Sequence, residues 1–124
     1  MNFNFKAKKG ESKNKYKNKK IEVDGIIFDS KKEAKRYTEL KILEKAGKIR
    51  DLKLQPKFEL IPTLRIEGYK TMPITVYKAD FEYMEQETGK FIVEDVKGFK
   101  TDVYKLKKKM FLYRYSGVYE FREV

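Results

Sequence analysis

The spacing of apolar and polar positions changes several times along this chain, and each change predicts an element. Ile21-Glu22-Val23 and Ile26-Ile27-Phe28 alternate on either side of Asp24-Gly25. An Asp-Gly pair between alternating runs signals a two-residue hairpin, because such a turn needs left-handed backbone at its centre. Asp29-Ser30 then offers a helix N-cap, and Glu33 stands at the capping-box spacing from Ser30. Ala34, Tyr37, Leu40, Leu43 and Ala46 recur at every third position and predict one buried stripe on a helix reaching about Ala46. Gly47 is a natural left-handed stop.

Residues 49–60 read as extended, with Pro56 marking an edge or a break. Residues 63–67 are a short strand candidate, and Met72-Pro73 interrupts. Residues 74–83 predict one long strand, residues 85–90 a polar turn, and residues 91–97 a strand whose apolar front half makes it central. Thr101 can cap a second helix over residues 102–115. Its expected buried stripe is Val103, Leu106, Met110 and Tyr113, with Lys105, Lys108 and Lys109 outward. Tyr104, Phe111, Tyr113 and Tyr115 read first as core residues and only second as surfaces for base stacking. Gly117 ends the helix, and residues 118–124 predict a last strand. This order predicts an α/β (α+β) sandwich around a mixed β-sheet flanked by two helices.

Composition narrows the chemistry. The 124 residues are the size of one domain, and 40% apolar with 15% aromatic residues can bury a core. There is no His and no Cys, so Ser-His, Cys-His, His-metal and disulfide chemistry are excluded. The net charge of +11 favours a polyanionic partner. That charge is uneven: residues 1–20 hold eight lysines against Glu11, +7 of the total. Like charges repel and extend a chain, so residues 1–20 are expected to form a flexible basic arm and residues 21–124 the folded domain. Within the arm, Lys13, Lys15 and Lys17 are candidate DNA contacts, against the plainer alternative of a solubilising tail. No apolar run is long enough to span a bilayer and no signal-peptide core is present, which points to a cytoplasmic protein without a membrane role.

The candidate chemistry lies in carboxylates and a lysine. Residues two apart on a strand share a face, so Asp95 and Lys97 point one way and Glu94 the other. If the turn at residues 85–90 makes a hairpin, Asp80 and Asp95 lie opposite each other to within about one position. Two carboxylates, with the Val96 carbonyl as a further oxygen, suit Mg²⁺, which keeps waters and substrate phosphate as its other ligands; Mn²⁺ is expected to substitute. Lys97 can orient the attacking water or offset charge on the transition state. The plain alternative is a set of solvated strand charges, since an Asp-x-Lys triplet alone carries little information.

Asp80 followed by Asp95-x-Lys97, after a helix with an early Glu, resembles the PD-(D/E)XK nuclease superfamily. The run from Phe28 to Leu40, then Gly47-Lys48-Ile49, Leu54-Gln55-Pro56, Ala79-Asp80-Phe81 and Glu94 to Gly98, resembles a family of small phage proteins that carries only an unknown-function label. The pattern is also similar to phage junction-resolving endonucleases of the endonuclease I type. The resemblance spans residues 21 to about 115. It implies a restriction-endonuclease-like sheet, Asp80 and Asp95 as metal ligands, Lys97 as the catalytic lysine, and Glu33 as the helix carboxylate of the metal site. Glu39 is the alternative helix carboxylate, and Glu33 also has the plainer role of completing its capping box. The Pro that normally precedes the first Asp is Ala79 in this chain. Gln55 is an accessory candidate by the same resemblance, or simply part of a turn. Lys100, Lys105, Lys108 and Lys109 flank the site and are candidate phosphate contacts.

The expected activity is therefore Mg²⁺-dependent endonucleolytic cleavage of DNA, with branched DNA preferred because so small a chain leaves little room for reading sequence. Paired cuts at a junction imply a homodimer. A non-catalytic nucleic-acid-binding module that keeps the fold is the alternative, and a basic RNA-associated protein ranks third.

Overall fold

The structure, a computed structural model, describes residues 19–124. The expected arm at residues 1–20, with Lys13, Lys15 and Lys17, lies almost wholly outside the described residues. By its contacts the chain divides into two compact units, Met1–Glu39 and Leu40–Val124.

In the first unit Asp24 and Gly25 take φ of 54° and 77°. That left-handed pair matches the twist of a tight hairpin, and β1 (Ile21–Val23) pairs antiparallel with β2 (Ile26–Phe28). Tyr37 closes onto it, its ring 5.0 Å from Phe28 and its hydroxyl donating to Asp24 at 3.0 Å. Helix α1 (Lys31–Lys45) starts where expected, with Ser30 Oγ accepting the Glu33 N–H at 3.1 Å. It crosses into the second unit and ends at Gly47, whose φ of 76° lets the Lys48 N–H reach the Leu43 carbonyl at 2.9 Å, a Schellman closure. Ala34, Tyr37 and Leu40 of the expected stripe are buried, whereas Ala46 is exposed.

The second unit contains a four-stranded sheet in the order β3 (Ile49–Leu54), β6 (Phe81–Glu85), β7 (Phe91–Asp95), β8 (Tyr119–Glu123). A separate antiparallel pair joins β4 (Lys57–Ile61) and β5 (Thr75–Lys78). β3, β6 and β7 are antiparallel neighbours, while β7 and β8 are parallel and joined through α2 (Asp102–Tyr115). A parallel pair requires such a crossover. The described residues form an α+β fold with two helices and a mixed sheet, and β7 is internal to that sheet, as its two-sided apolar pattern requires.

Three expectations need correction. The long strand over residues 74–83 is two strands, broken at Ala79-Asp80. Its partner causes the break: Pro56 has no N–H to donate and Gln55 takes a left-handed φ of 51°. The two kinked segments stay paired, Ala79 N–H to the Pro56 carbonyl at 3.0 Å and Gln55 N–H to the Asp80 carbonyl at 2.9 Å. Residues 63–67 form no strand, only a Leu64–Met72 bridge, and every residue from 61 to 74 is exposed. Finally, the buried face of α2 is Tyr104 and Phe111, with Met110 and Tyr115 half-buried, whereas Val103, Leu106 and Tyr113 are exposed. Both stripes have helical spacing, but the aromatic one buries the larger apolar area. Phe111 meets Phe58 edge-on with centroids 4.9 Å apart, and Tyr77, Val93 and Tyr104 complete the same core cluster.

No helix of the described residues is long and apolar enough to cross a membrane.

Candidate active site

The β6–β7 hairpin brings the two aspartates near each other. Its register runs out to Phe81 paired with Glu94, and Asp80 and Asp95 are the residues that directly flank that pair. The Asp80 N–H donates to the Glu94 carbonyl at 3.1 Å. Its side chain then reaches across, Oδ2 accepting the Val96 N–H at 2.6 Å. Asp80 is thus tied at both backbone and side chain to the strand that carries Asp95.

Asp95 is 1% exposed at the end of β7. Its Oδ2 accepts from the Tyr77 hydroxyl. Its Oδ1 lies 2.9 Å from Lys97 Nζ, yet no donor is aligned with that oxygen as a hydrogen bond. A buried carboxylate oxygen with charge compensation but no aligned donor is uncommon. Lys97 Nζ also sits 4.5 Å above the centre of the Tyr104 ring, a cation–π contact that restricts where the ammonium can go. Burial pushes the Tyr77 phenol well above its ordinary pKa, with the Asp95 hydrogen bond and charge adding to the shift. It therefore stays a donor to Asp95 at any physiological pH.

Glu94, the neighbouring carboxylate, is fully buried and accepts from the Tyr83 hydroxyl. Strand parity places it on the opposite face from Asp95. Gln55 is drawn in by its backbone bond to Asp80. Glu33 is buried, at 7% exposed, but belongs to the first unit, whereas Asp80, Asp95 and Lys97 belong to the second. Among the described residues no group of three or more acidic side chains is close enough to hold a metal together.

The four candidate lysines on and just before α2 divide into two kinds. Lys105 and Lys109 are exposed. Lys100 and Lys108 both pair with Glu123, each at 3.1 Å, and Tyr104 donates its hydroxyl to the same carboxylate. That hydrogen bond, helped by the two lysines, holds the Glu123 carboxyl down at about 2. Burial, together with the bond to Glu123, pushes the Tyr104 phenol up.

Tyr77 and Glu123 were not visible as site residues in the sequence. Glu123 is the parallel register partner of Asp95, and that relation exists only once α2 has carried the chain across. Tyr77 is three residues before Asp80, but the strand break between them hides any alternation that would link the two. Asp95 and Glu123 therefore stand side by side at the ends of β7 and β8, Asp95 in contact with Tyr77 and Lys97 and Glu123 with Tyr104.

No curated protein and no solved structure matches the chain. One family model does, over residues 13–122. With most of its length matched, the chain belongs to the family described as "Protein of unknown function (DUF1064)".

Proposed function

We propose that this chain is a metal-dependent endodeoxyribonuclease of the PD-(D/E)XK kind, hydrolysing phosphodiester bonds and acting by preference on branched DNA. The observation that carries the reading is the Asp80–Asp95–Lys97 arrangement: Asp80 bonded to the backbone N–H of the residue that follows Asp95, and a buried Asp95 whose Oδ1 faces the Lys97 ammonium at 2.9 Å. The donor set fits Mg²⁺ or Mn²⁺. Asp80, Asp95 and the Val96 carbonyl are hard oxygens, and such an ion takes only one or two protein carboxylates alongside water and phosphate. When bound, the ion would supply Lewis acidity and a more acidic water.

The residues of the chain divide the remaining work. Tyr77 holds Asp95 Oδ2, and Oδ1 faces the Lys97 ammonium. Val96 N–H orients Asp80. The Tyr104 ring confines Lys97 beside Asp95, where its ammonium can orient a water or offset charge developing on phosphate. The lysines of α2, and those of residues 1–20, would grip backbone phosphates on either side. Two coordinated cuts at a junction would need a homodimer, working in the cytoplasm of the cell that makes the protein, a host cell if it is phage-encoded.

A cleavage assay tests this. Full-length protein is given an end-labelled immobile four-way junction and a linear duplex of the same arm sequence, with Mg²⁺, Mn²⁺ or EDTA. Metal-dependent paired cuts near the branch point, absent on the duplex, are expected. Equal cutting of both would remove the structural preference and keep the nuclease. Binding with no cutting in either metal would favour a non-catalytic nucleic-acid-binding module on the same fold.

A further inference from the structure

Beside the site, between α2 and the end of β8, lies a groove of about 450 Å³ whose polar lining is Lys100, Tyr104, Lys105, Lys108, Lys109 and Glu123, with Leu112 as its apolar wall. Four lysines around one carboxylate make a strongly cationic surface with an anion already in it. The contacts converge: Lys100 meets Glu123 Oε1, while Lys108 and the Tyr104 hydroxyl meet Oε2. Two ammoniums and a phenol on one anion form the donor set that would also bind a phosphate oxygen pair. The groove adjoins the candidate active site: the Tyr104 ring that borders it also lies under Lys97, and Glu123 is the register partner of Asp95.

We propose that this groove is an outer phosphate subsite for the nucleic-acid backbone and that Glu123 is its built-in counter-ion, displaced when a backbone phosphate enters. The proposal rests on the nucleic-acid reading above and adds to it a residue that tunes affinity. Glu123 cancels part of the charge that Lys100 and Lys108 would otherwise offer to DNA. Ion pairs as exposed as these, with the lysine side chains 47% and 32% exposed, are weak enough to exchange. A lysine held by Glu123 is also kept pointing into the groove, so the carboxylate orients the cations it masks.

The test is equilibrium binding of a short fluorescent duplex in EDTA, so that cleavage plays no part, across a salt series. Wild type, Glu123→Gln and the triple variant Glu123→Gln with Lys100→Ala and Lys108→Ala are compared, each checked for folding by its thermal melt. Removing one negative charge from the phosphate path is expected to tighten binding and to steepen the slope of log affinity against log salt by about 0.9. The triple variant should lose that gain. An unchanged slope for a folded Glu123→Gln, or weaker binding, would overturn the proposal and leave Glu123 a structural ion pair. A wild-type chain that binds no duplex at all would overturn the nucleic-acid reading itself, an outcome separate from binding that does not respond to residue 123.

Discussion

Asp80 Oδ2 accepts the backbone N–H of Val96 at 2.6 Å, so one candidate metal ligand is positioned by the residue that directly follows the other. The contact joins two chain segments at the point where β7 ends and the chain leaves the sheet. It has a structural consequence and a chemical one, and two substitutions separate them. Asp80→Ala removes the acceptor and is expected to cost about 1.5–3 kcal/mol, the range for hydrogen bonds to charged groups. Asp80→Asn keeps an acceptor oxygen and should retain most of the stability. Both are expected to abolish cleavage while leaving DNA affinity largely intact. Urea unfolding and the junction assay read the two effects, and a cleaving Asp80→Asn protein would remove Asp80 from the catalytic set.

Tyr77 donates to a carboxylate that is 1% exposed. Tyr77→Phe leaves Asp95 Oδ2 buried without that donor, at an expected cost of about 1–3 kcal/mol. Tyr69→Phe, at a residue 68% exposed, should stay within about 0.5 kcal/mol of wild type. Denaturant midpoints for the two variants make the comparison, and equal midpoints would show that the Tyr77 hydroxyl does not support Asp95.

Gln55 holds a left-handed φ of 51°, which costs a residue with a Cβ about 1–2 kcal/mol. Gln55→Gly is expected to stabilise the fold by up to about 1 kcal/mol, the gain being reduced by the greater chain entropy of glycine. If cleavage survives at full rate, the residue serves the kink alone. A more stable protein with slower cleavage would assign its side chain to the site.

Glu123 should make stability depend on acid pH. Its carboxyl is held at about 2 in the fold, against an ordinary value of 4.5. As pH falls the unfolded chain takes up the proton first. The stabilising contribution is therefore fully present above about pH 4.5 and is lost as pH falls toward 2. The difference in unfolding free energy between wild type and Glu123→Gln is expected to shrink across that window. A constant difference would mean that the Tyr104 and lysine contacts do not favour the charged form.

Deleting residues 1–20 removes a net +7. Weaker DNA binding and a flatter salt slope are expected, with cleavage at low salt retained, because the candidate catalytic residues all lie later in the chain. Salt-titrated binding with the truncated and full-length proteins measures this, and identical slopes would show that the segment does not contact phosphate.

Local interactions wrote the elements plainly into the sequence. The Asp24-Gly25 hairpin, the Ser30 and Thr101 caps and the Gly47 stop all depend on backbone conformations or hydrogen bonds within a few residues, so residue type alone reports them. The β6–β7 hairpin was readable for a similar reason: a short polar turn sets the register of an antiparallel pair. Tertiary structure decided what local pattern could not. The break at Ala79-Asp80 comes from a kink in its partner at Gln55-Pro56, twenty-odd residues earlier in the chain. The buried face of α2 was chosen by which stripe met the aromatic core around Phe58 and Tyr77, since two stripes had the same spacing. Glu123 came beside Asp95 only through a parallel pairing whose register is set by helix packing and not by a turn. Short-range hydrogen bonding and sterics act between neighbours in sequence, whereas burial and parallel pairing act between neighbours in space, and the latter placed Tyr77, Tyr104 and Glu123 around the aspartates.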